Sequence, residues 1–222
     1  AVVYFYVADD GTQLGDGPYL IPVARPLAVL SHFVTDPVYE AANFLVVGTY
    51  PGEEEAGPAL FSAIPEGSRL LGLDVADGIA TVDLSAEFAD GDLPILRRRL
   101  AQVVFTLTHF SEIRAVHFLV EGDPLLSPVR TGIPDPATRA DFEDLLPAIL
   151  VESPAHWASG GDNPLVVTGT ANVFEAVVSL ELLDRDGVVL WEGTSTATCG
   201  TGCRGDFSAD IPYEVGEDQL GT

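Results

Sequence analysis

The sequence predicts an α+β domain, built on a mixed sheet with two main helices, followed by an all-β sandwich. Three observations predict it. Up to residue 148, period-two strand patterns alternate with two capped stretches of helical period. After Pro147 the chain holds only short period-two runs with glycine-rich turns. Apolar residues make up 47% of the 222, enough to bury a sizeable core.

The elements follow in order. Val3, Phe5 and Val7 alternate with Tyr4 and Tyr6, a strand that Asp9-Asp10-Gly11 ends as a turn. Tyr19 to Leu27 reads as a second strand, interrupted by Pro22 and closed by Pro26. Asp36-Pro37 supplies a helix N-cap with proline at the first helical position. Val38, Ala41, Ala42, Leu45 and Val46 follow at helical spacing, with Gly48 as the stop. Residues 51–58 form an acidic surface loop.

A hairpin comes next: Arg69 to Val75, a turn at Ala76-Asp77-Gly78, and a return over Ile79 to Leu84. Its Ala80, Val82 and Leu84 face one side and Thr81 and Asp83 the other. Asp92 caps a second helix with Pro94 in its first turn and an apolar stripe of Leu96, Leu100, Val103, Val104 and Leu107. Val116, Phe118 and Val120 form a further strand, ended by Gly122-Asp123-Pro124. Residues 123–148 show little regular pattern apart from a short helix near Arg139 to Leu146. The domain boundary is placed there, giving units 1–148 and 149–222.

In the second unit Phe174, Ala176, Val178, Leu180 and Leu182 alternate with Glu175, Val177, Ser179 and Glu181. Asp184-Arg185-Asp186-Gly187 then turns the chain into Val188 to Trp191. Phe207, Ala209, Ile211, Tyr213 and Val215 mark a last strand.

Charge excludes several functions. Ten arginines, no lysine and 34 acids give a net charge of −24. The deficit is spread over the chain, with 22 acids against 8 arginines before residue 149 and 12 against 2 after it. Such a surface repels phosphate backbones and anionic headgroups, so nucleic acid is excluded as a partner. Arg97-Arg98-Arg99, the sole basic cluster, reads as a solvated helix face or an answer to neighbouring acids. No apolar run reaches the roughly 18 residues of a membrane span. No signal peptide or lipidation motif is present. The chain opens at Ala1 directly in a strand-like run and holds no Met, so an upstream segment is expected.

Cys199 and Cys203, in Cys-Gly-Thr-Gly-Cys, make no zinc site without a second ligand pair. A local disulfide is expected instead, which favours an oxidising, extracytoplasmic setting. Gly67-Ser68 lacks the second glycine of a nucleophile elbow. His32, His109, His117 and His156 form no metal-binding spacing. His109 closes the second helix, and His117 sits on its strand opposite Val116 and Phe118. Asp184-x-Asp186-Gly187 resembles the start of a calcium loop, but its twelfth position is Ser195 instead of glutamate. Asp9-Asp10 and Glu53-Glu54-Glu55 sit in polar loops that would not raise a carboxyl pKa. Gly15-Asp16-Gly17 and Gly160-Gly161 lack the strand-to-helix setting of a phosphate cradle. Arg204-Gly205-Asp206 spells an adhesion tripeptide, yet Asp206 also begins a strand.

A family resemblance rests on ordered motifs. Ser62 to Leu71, Gly78 to Ser85, Arg99 to Thr108 and Val116 to Pro124 resemble the GerMN domain of bacterial sporulation and spore-germination proteins. Ile149 to Pro154, Val167 to Ala176 and Cys199 to Phe207 resemble the immunoglobulin-like domain that often follows it. One departure is Gly48-Thr49-Tyr50-Pro51-Gly52, where the family has Gly-Pro-Thr. The resemblance implies an immunoglobulin-like second domain. It also implies a non-enzymatic scaffold or interaction module of the cell envelope, extracytoplasmic and held to the membrane as a lipoprotein by an upstream anchor. It carries no catalytic residue, cofactor or metal set. The implied partner is another envelope protein, with homo-oligomerisation left open. The rival expectation is a cell-wall glycan or small-ligand binding domain, with Trp157 in the Pro154 to Gly161 loop as the stacking residue and Trp191 assigned to the core. The sandwich is also expected to be incomplete at Thr222, continued by further chain or completed by a neighbour's strand.

Overall fold

The computed structural model describes residues 1–7, 18–25, 36–49, 60–159 and 161–214, without the side chains of Pro128 and Arg130. The expected turn at Asp9-Asp10-Gly11, the glycine pair Gly15 and Gly17, His32, the loop 51–58 and the chain end from Val215 lie outside the described residues. The chain divides into two compact units, Ala1–Pro147 and Ala148–Thr222.

In the first unit, β1 (Val2–Val7) is the middle strand of an antiparallel sheet between β2 (Tyr19–Ala24) and β3 (Leu60–Phe61). Val3 to Val7 are all buried, so the alternation does not mark a half-exposed strand. Both faces are covered, and the Tyr6 hydroxyl donates to the Arg98 carbonyl at 2.9 Å. Pro22 does not interrupt β2, which pairs with β1 from Val2↔Ala24 to Val7↔Tyr19. The strand lies at the sheet edge, where a missing N–H is tolerated.

Helix α1 (Pro37–Val47) begins at Asp36, whose Oδ1 accepts from the Val38 N–H at 2.9 Å, and stops at Gly48 with φ 82°. Strands β4 (Leu70–Ala76) and β5 (Ile79–Leu84) form the hairpin. Asp77 and Gly78 both have positive φ, as a two-residue turn between twisted strands requires. A 3-10 turn, Ala86–Ala89, leads to α2 (Leu93–Leu107), capped by Asp92 Oδ1 accepting from Ile95 N–H at 3.0 Å. From Arg99 to Leu107 every residue of α2 is buried, wider than the predicted stripe.

Strand β6 (Ala115–Val120) returns parallel to β5, in register Ile79↔Ala115 to Leu84↔Val120. This parallel pair makes the four-stranded sheet mixed, with α2 as the crossover. Asp123-Pro124 does not simply end β6. It is β7 (Asp123–Pro124), folded back antiparallel through a Glu121-Gly122 turn. Beyond it come one helical turn, α3 (Pro128–Thr131), and the expected short helix, which is a 3-10 helix, Arg139–Leu145, kinked at Phe142. Thr138 N–H and Oγ1 both donate to Asp141 Oδ2 at its start, at 2.7 and 2.8 Å.

The second unit is an immunoglobulin-like arrangement of antiparallel strands. β8 (Ile149–Ser153), β9 (Leu165–Ala171) and β12 (Gly205–Ile211) form one sheet in the order β12-β9-β8. β10 (Val177–Leu183) and β11 (Val189–Thr196) form the other. Val167, Ala171, Val178, Ala197, Phe207 and Ile211 are its buried core, with Trp191 packed against them. Gly169 has no space for a side chain, because the Phe207 ring and the Leu150 carbonyl already fill it. The predicted run from Phe174 is shorter than expected. Phe174–Ala176 is a 3-10 turn with Phe174 exposed, and the strand starts at Val177.

Candidate functional site

The first unit holds a shallow groove of about 340 Å³ on its four-stranded sheet, lined by Ala76, Asp77, Ile79, Thr81, His117 and Pro136. The β5–β6 register sets Thr81 beside His117. Both lie on the face opposite buried Val82, Val116 and Phe118, because side chains alternate along a strand. Asp135 enters from the segment after β7, which is tied to the sheet by reciprocal Val116–Ala137 backbone bonds of 2.8 and 2.9 Å. Its Oδ1 lies 2.7 Å from His117 Nδ1, with the two side chains 19% and 32% exposed. A carboxylate on Nδ1 orients the ring and leaves Nε2 as its other polar atom. The pair can hold a small polar group by hydrogen bonding.

A second groove, about 510 Å³, lies in the immunoglobulin-like unit. It is lined by Glu152, Thr168, Gly169, Thr196, Thr198, Asp206, Phe207 and Ser208. One of its hydroxyls already serves the strands: Thr198 Oγ1 accepts from Asp206 N–H at 2.9 Å.

The residues singled out from sequence are placed as follows. Cys199 and Cys203 are joined in a disulfide, Cα atoms 5.8 Å apart. The arginine triplet is not a solvated face. Arg99 is 7% exposed and donates to the carbonyls of Ala63 (3.0 Å), Phe88 (2.7 Å) and Asp90. Desolvation lowers its pKa from the usual guanidinium value, and Asp90 and Asp92 pull it back. Arg97 does answer acids, gripping both Asp144 oxygens at 2.8 and 2.7 Å. Asp184 Oδ1 accepts from Asp186 and Val188 N–H groups, both at 2.9 Å, so that carboxylate shapes a hairpin turn. Asp206 lies in β12, and Arg204 Nη1 donates to Thr170 O (3.3 Å) and Oγ1 (3.1 Å). Trp157 has φ 62°, and its ring packs tilted against His156, 4.7 Å between centroids at an interplanar angle of 39°. Among the described residues no group of three or more His, Cys, Asp or Glu is placed to hold a metal. No helix of the described residues is long and apolar enough to cross a membrane.

Residues 2–126 match the family Germane, described as sporulation and spore germination. The chain belongs to the Germane family. Residues 148–222 of this Germane chain match Gmad2, the immunoglobulin-like domain of bacterial spore germination. The chain is thus a sporulation- and germination-type module followed by its immunoglobulin-like companion. Among solved structures, it is similar to the first GerMN domain of the sporulation protein GerM from Bacillus subtilis. That similarity has 22% identity and a TM-score of 0.47, covering 63% of this chain and 98% of that one. It is also similar to the tandem GerMN domains of the same protein, with 18% identity and a TM-score of 0.49, covering 96% of this chain and 61% of that one. No match was found among curated proteins.

Sequence reasoning missed two features of the Germane chain. The His117–Asp135 pair joins residues 18 apart that share no element, so no periodicity signals it. The left-handed Trp157 has no sequence signature, because bulky residues rarely adopt positive φ.

Proposed function

We propose that this chain is a non-enzymatic, extracytoplasmic scaffold or protein-interaction module of the bacterial cell envelope, working with an envelope protein partner. One observation carries the reading. Polar side chains of the kind that elsewhere catalyse are engaged here in holding the fold together. Arg99 binds three carbonyls. Gln102 Oε1 accepts from Ala63 N–H at 2.8 Å, Thr106 Oγ1 from Tyr4 N–H at 3.0 Å, and Ser85 Oγ from Arg69 N–H at 2.9 Å. Membership of a sporulation and germination family supports the same role. The Cys199–Cys203 disulfide supports an oxidising compartment.

The test is made on the natural protein in its own cells. External protease added to spheroplasts is expected to degrade it, and crosslinking of intact cells to trap it in complexes larger than itself. Protection from the protease, or only uncrosslinked single chains, would overturn the reading.

A second reading has its own support. Trp157 is only partly buried, packed beside His156, and an accessible indole is the side chain that stacks on sugar rings. If the chain binds cell-wall glycan, peptidoglycan fragments quench its tryptophan fluorescence and Trp157→Ala abolishes the change. Flat titrations would remove this reading.

A further inference from the structure

The immunoglobulin-like unit exposes a large aromatic on a rigid support. Phe174 is 76% exposed, and Val177, the first residue of β10, is 46% exposed. The Phe174 turn is held in an unfavourable backbone form. Glu175 (φ 55°), Ala176 (φ 59°) and the facing Thr201 (φ 54°) are all left-handed without being glycine. Such conformations persist only where surroundings over-determine them, and they gather at binding and switch regions.

Here the surroundings are the Cys199–Cys203 loop. Thr201 N–H donates to Val173 O at 2.9 Å, and Glu175 N–H to Thr201 Oγ1 at 3.2 Å. Gly202 N–H donates to Asn172 Oδ1 at 3.1 Å, and Ala197 N–H to Ala176 O at 2.8 Å. Gly200 lies so close to the Ala176 backbone that a side chain would clash with it. The disulfide closes the loop behind these contacts. Two short segments from different parts of the chain thus brace each other, and the ring they present is apolar and unburied. An aromatic carried on a braced turn costs little backbone freedom on binding, which suits it to anchor an interface.

Charge selects the kind of partner. The unit carries 12 acids and 2 arginines. Arg204 is tied to Thr170, and Arg185 lies 4.0 Å from Asp186. Glu175 stands next to the exposed ring. The field around Phe174 is therefore negative. It repels a second copy of this −24 chain and an anionic lipid surface, and attracts lysine and arginine.

We propose that the Phe174 turn and the Cys199–Cys203 loop form a protein-docking knob, with Phe174 as anchor, for a partner whose apolar pocket is rimmed by lysine or arginine. The proposal rests on the interaction-module reading and names the surface that reading would use.

The probe is a displayed library of random twelve-residue peptides, selected on the full chain. Enriched peptides are expected to pair aromatic or aliphatic residues with lysine or arginine. Their affinity should fall at least tenfold in Phe174→Ser and tenfold or more between 0.05 and 0.5 M salt, and recover in Phe174→Trp. Because Phe174 is exposed, Phe174→Ser should melt within a degree or two of the parent, which shows that the loss is local. No enrichment of cationic apolar peptides, or binding unchanged in Phe174→Ser, would overturn the proposal. Phe174-dependent binding to neutral phosphatidylcholine vesicles without peptide selection would replace it with a lipid surface. A photocrosslinking residue at position 174, compared with one at the exposed Val129, separates the two readings in cells. Crosslinks from position 129 alone would refute the knob and leave the module. Crosslinks from neither, with the chain protected from external protease, would remove both.

Discussion

Arg99 illustrates how a charged side chain becomes structural. Its neighbours in the triplet reach solvent or acids, but one further position along α2 turns it toward the carbonyls of Ala63, Phe88 and Asp90. Removing it strands those acceptors, at about 1–3 kcal/mol for each group left buried and unpaired. Arg99→Ala is therefore expected to lower unfolding free energy by about 3 kcal/mol in urea titration, and Arg99→Lys by less. A loss under about 1 kcal/mol would contradict the role. His156 makes a prediction about pH. Its Nε2 is buried without a hydrogen-bond partner among the described residues, and desolvation lowers its pKa from 6.5. The unfolded chain binds the proton first as pH falls. The neutral ring's contribution to stability is thus whole above the unfolded value and is lost below it, toward the lower folded one. The melting temperature should fall from pH 7.5 to pH 5, and His156→Gln should flatten that fall. An unchanged slope in the variant would refute it.

At the scale of elements, caps and turns do local work that sequence can display. Asp92, Asp36 and the Asp77-Gly78 turn all act within a few residues of themselves. Asp92→Ala should cost about 1 kcal/mol, read as a lower urea midpoint with an unchanged slope. A larger loss would mean that Asp92 does more than cap α2. The disulfide is also local. Its loop spans a sequence separation of 4. The chain-entropy relation gives about 2 kcal/mol for so short a loop. Cys199→Ser with Cys203→Ser should destabilise the second unit by about that amount; retention of full stability would show that the Gly-rich loop is set by its hydrogen bonds alone.

Across the whole molecule, charge acts on every part of the surface. A net −24 with no lysine makes the folded chain repel itself. Screening shortens the reach of these charges from about 30 Å at 0.01 M salt to about 3 Å at 1 M. The melting temperature is expected to rise by roughly 3 °C or more over that range, corresponding to about 1 kcal/mol on a chain of this size. A flat response would mean that the acids are already spaced widely enough to ignore one another. The same charge underlies the docking proposal, since it selects cationic partners.

Much of the fold was legible because its signals are short-range. The hairpin, the two capped helices and the period-two strands each depend on neighbours within a turn or two, and the motifs over Ser62 to Leu71 and Gly78 to Ser85 carried the family. What covers each face was not legible. The first strand alternates like an exposed one, yet Val3 to Val7 are all buried, because α2, about a hundred residues later, packs on it through Arg98, Phe105 and Thr106. Alternation also put Phe174 on one strand face with Val178 and Leu180, whereas left-handed Glu175 and Ala176 break the strand there, held by a loop 26 residues later. The His117–Asp135 pair belongs to the same class. Periodicity reports which side chains share a face. Only the packed chain decides what meets that face, because the meeting partners are set by closure of long loops and leave no trace in local spacing.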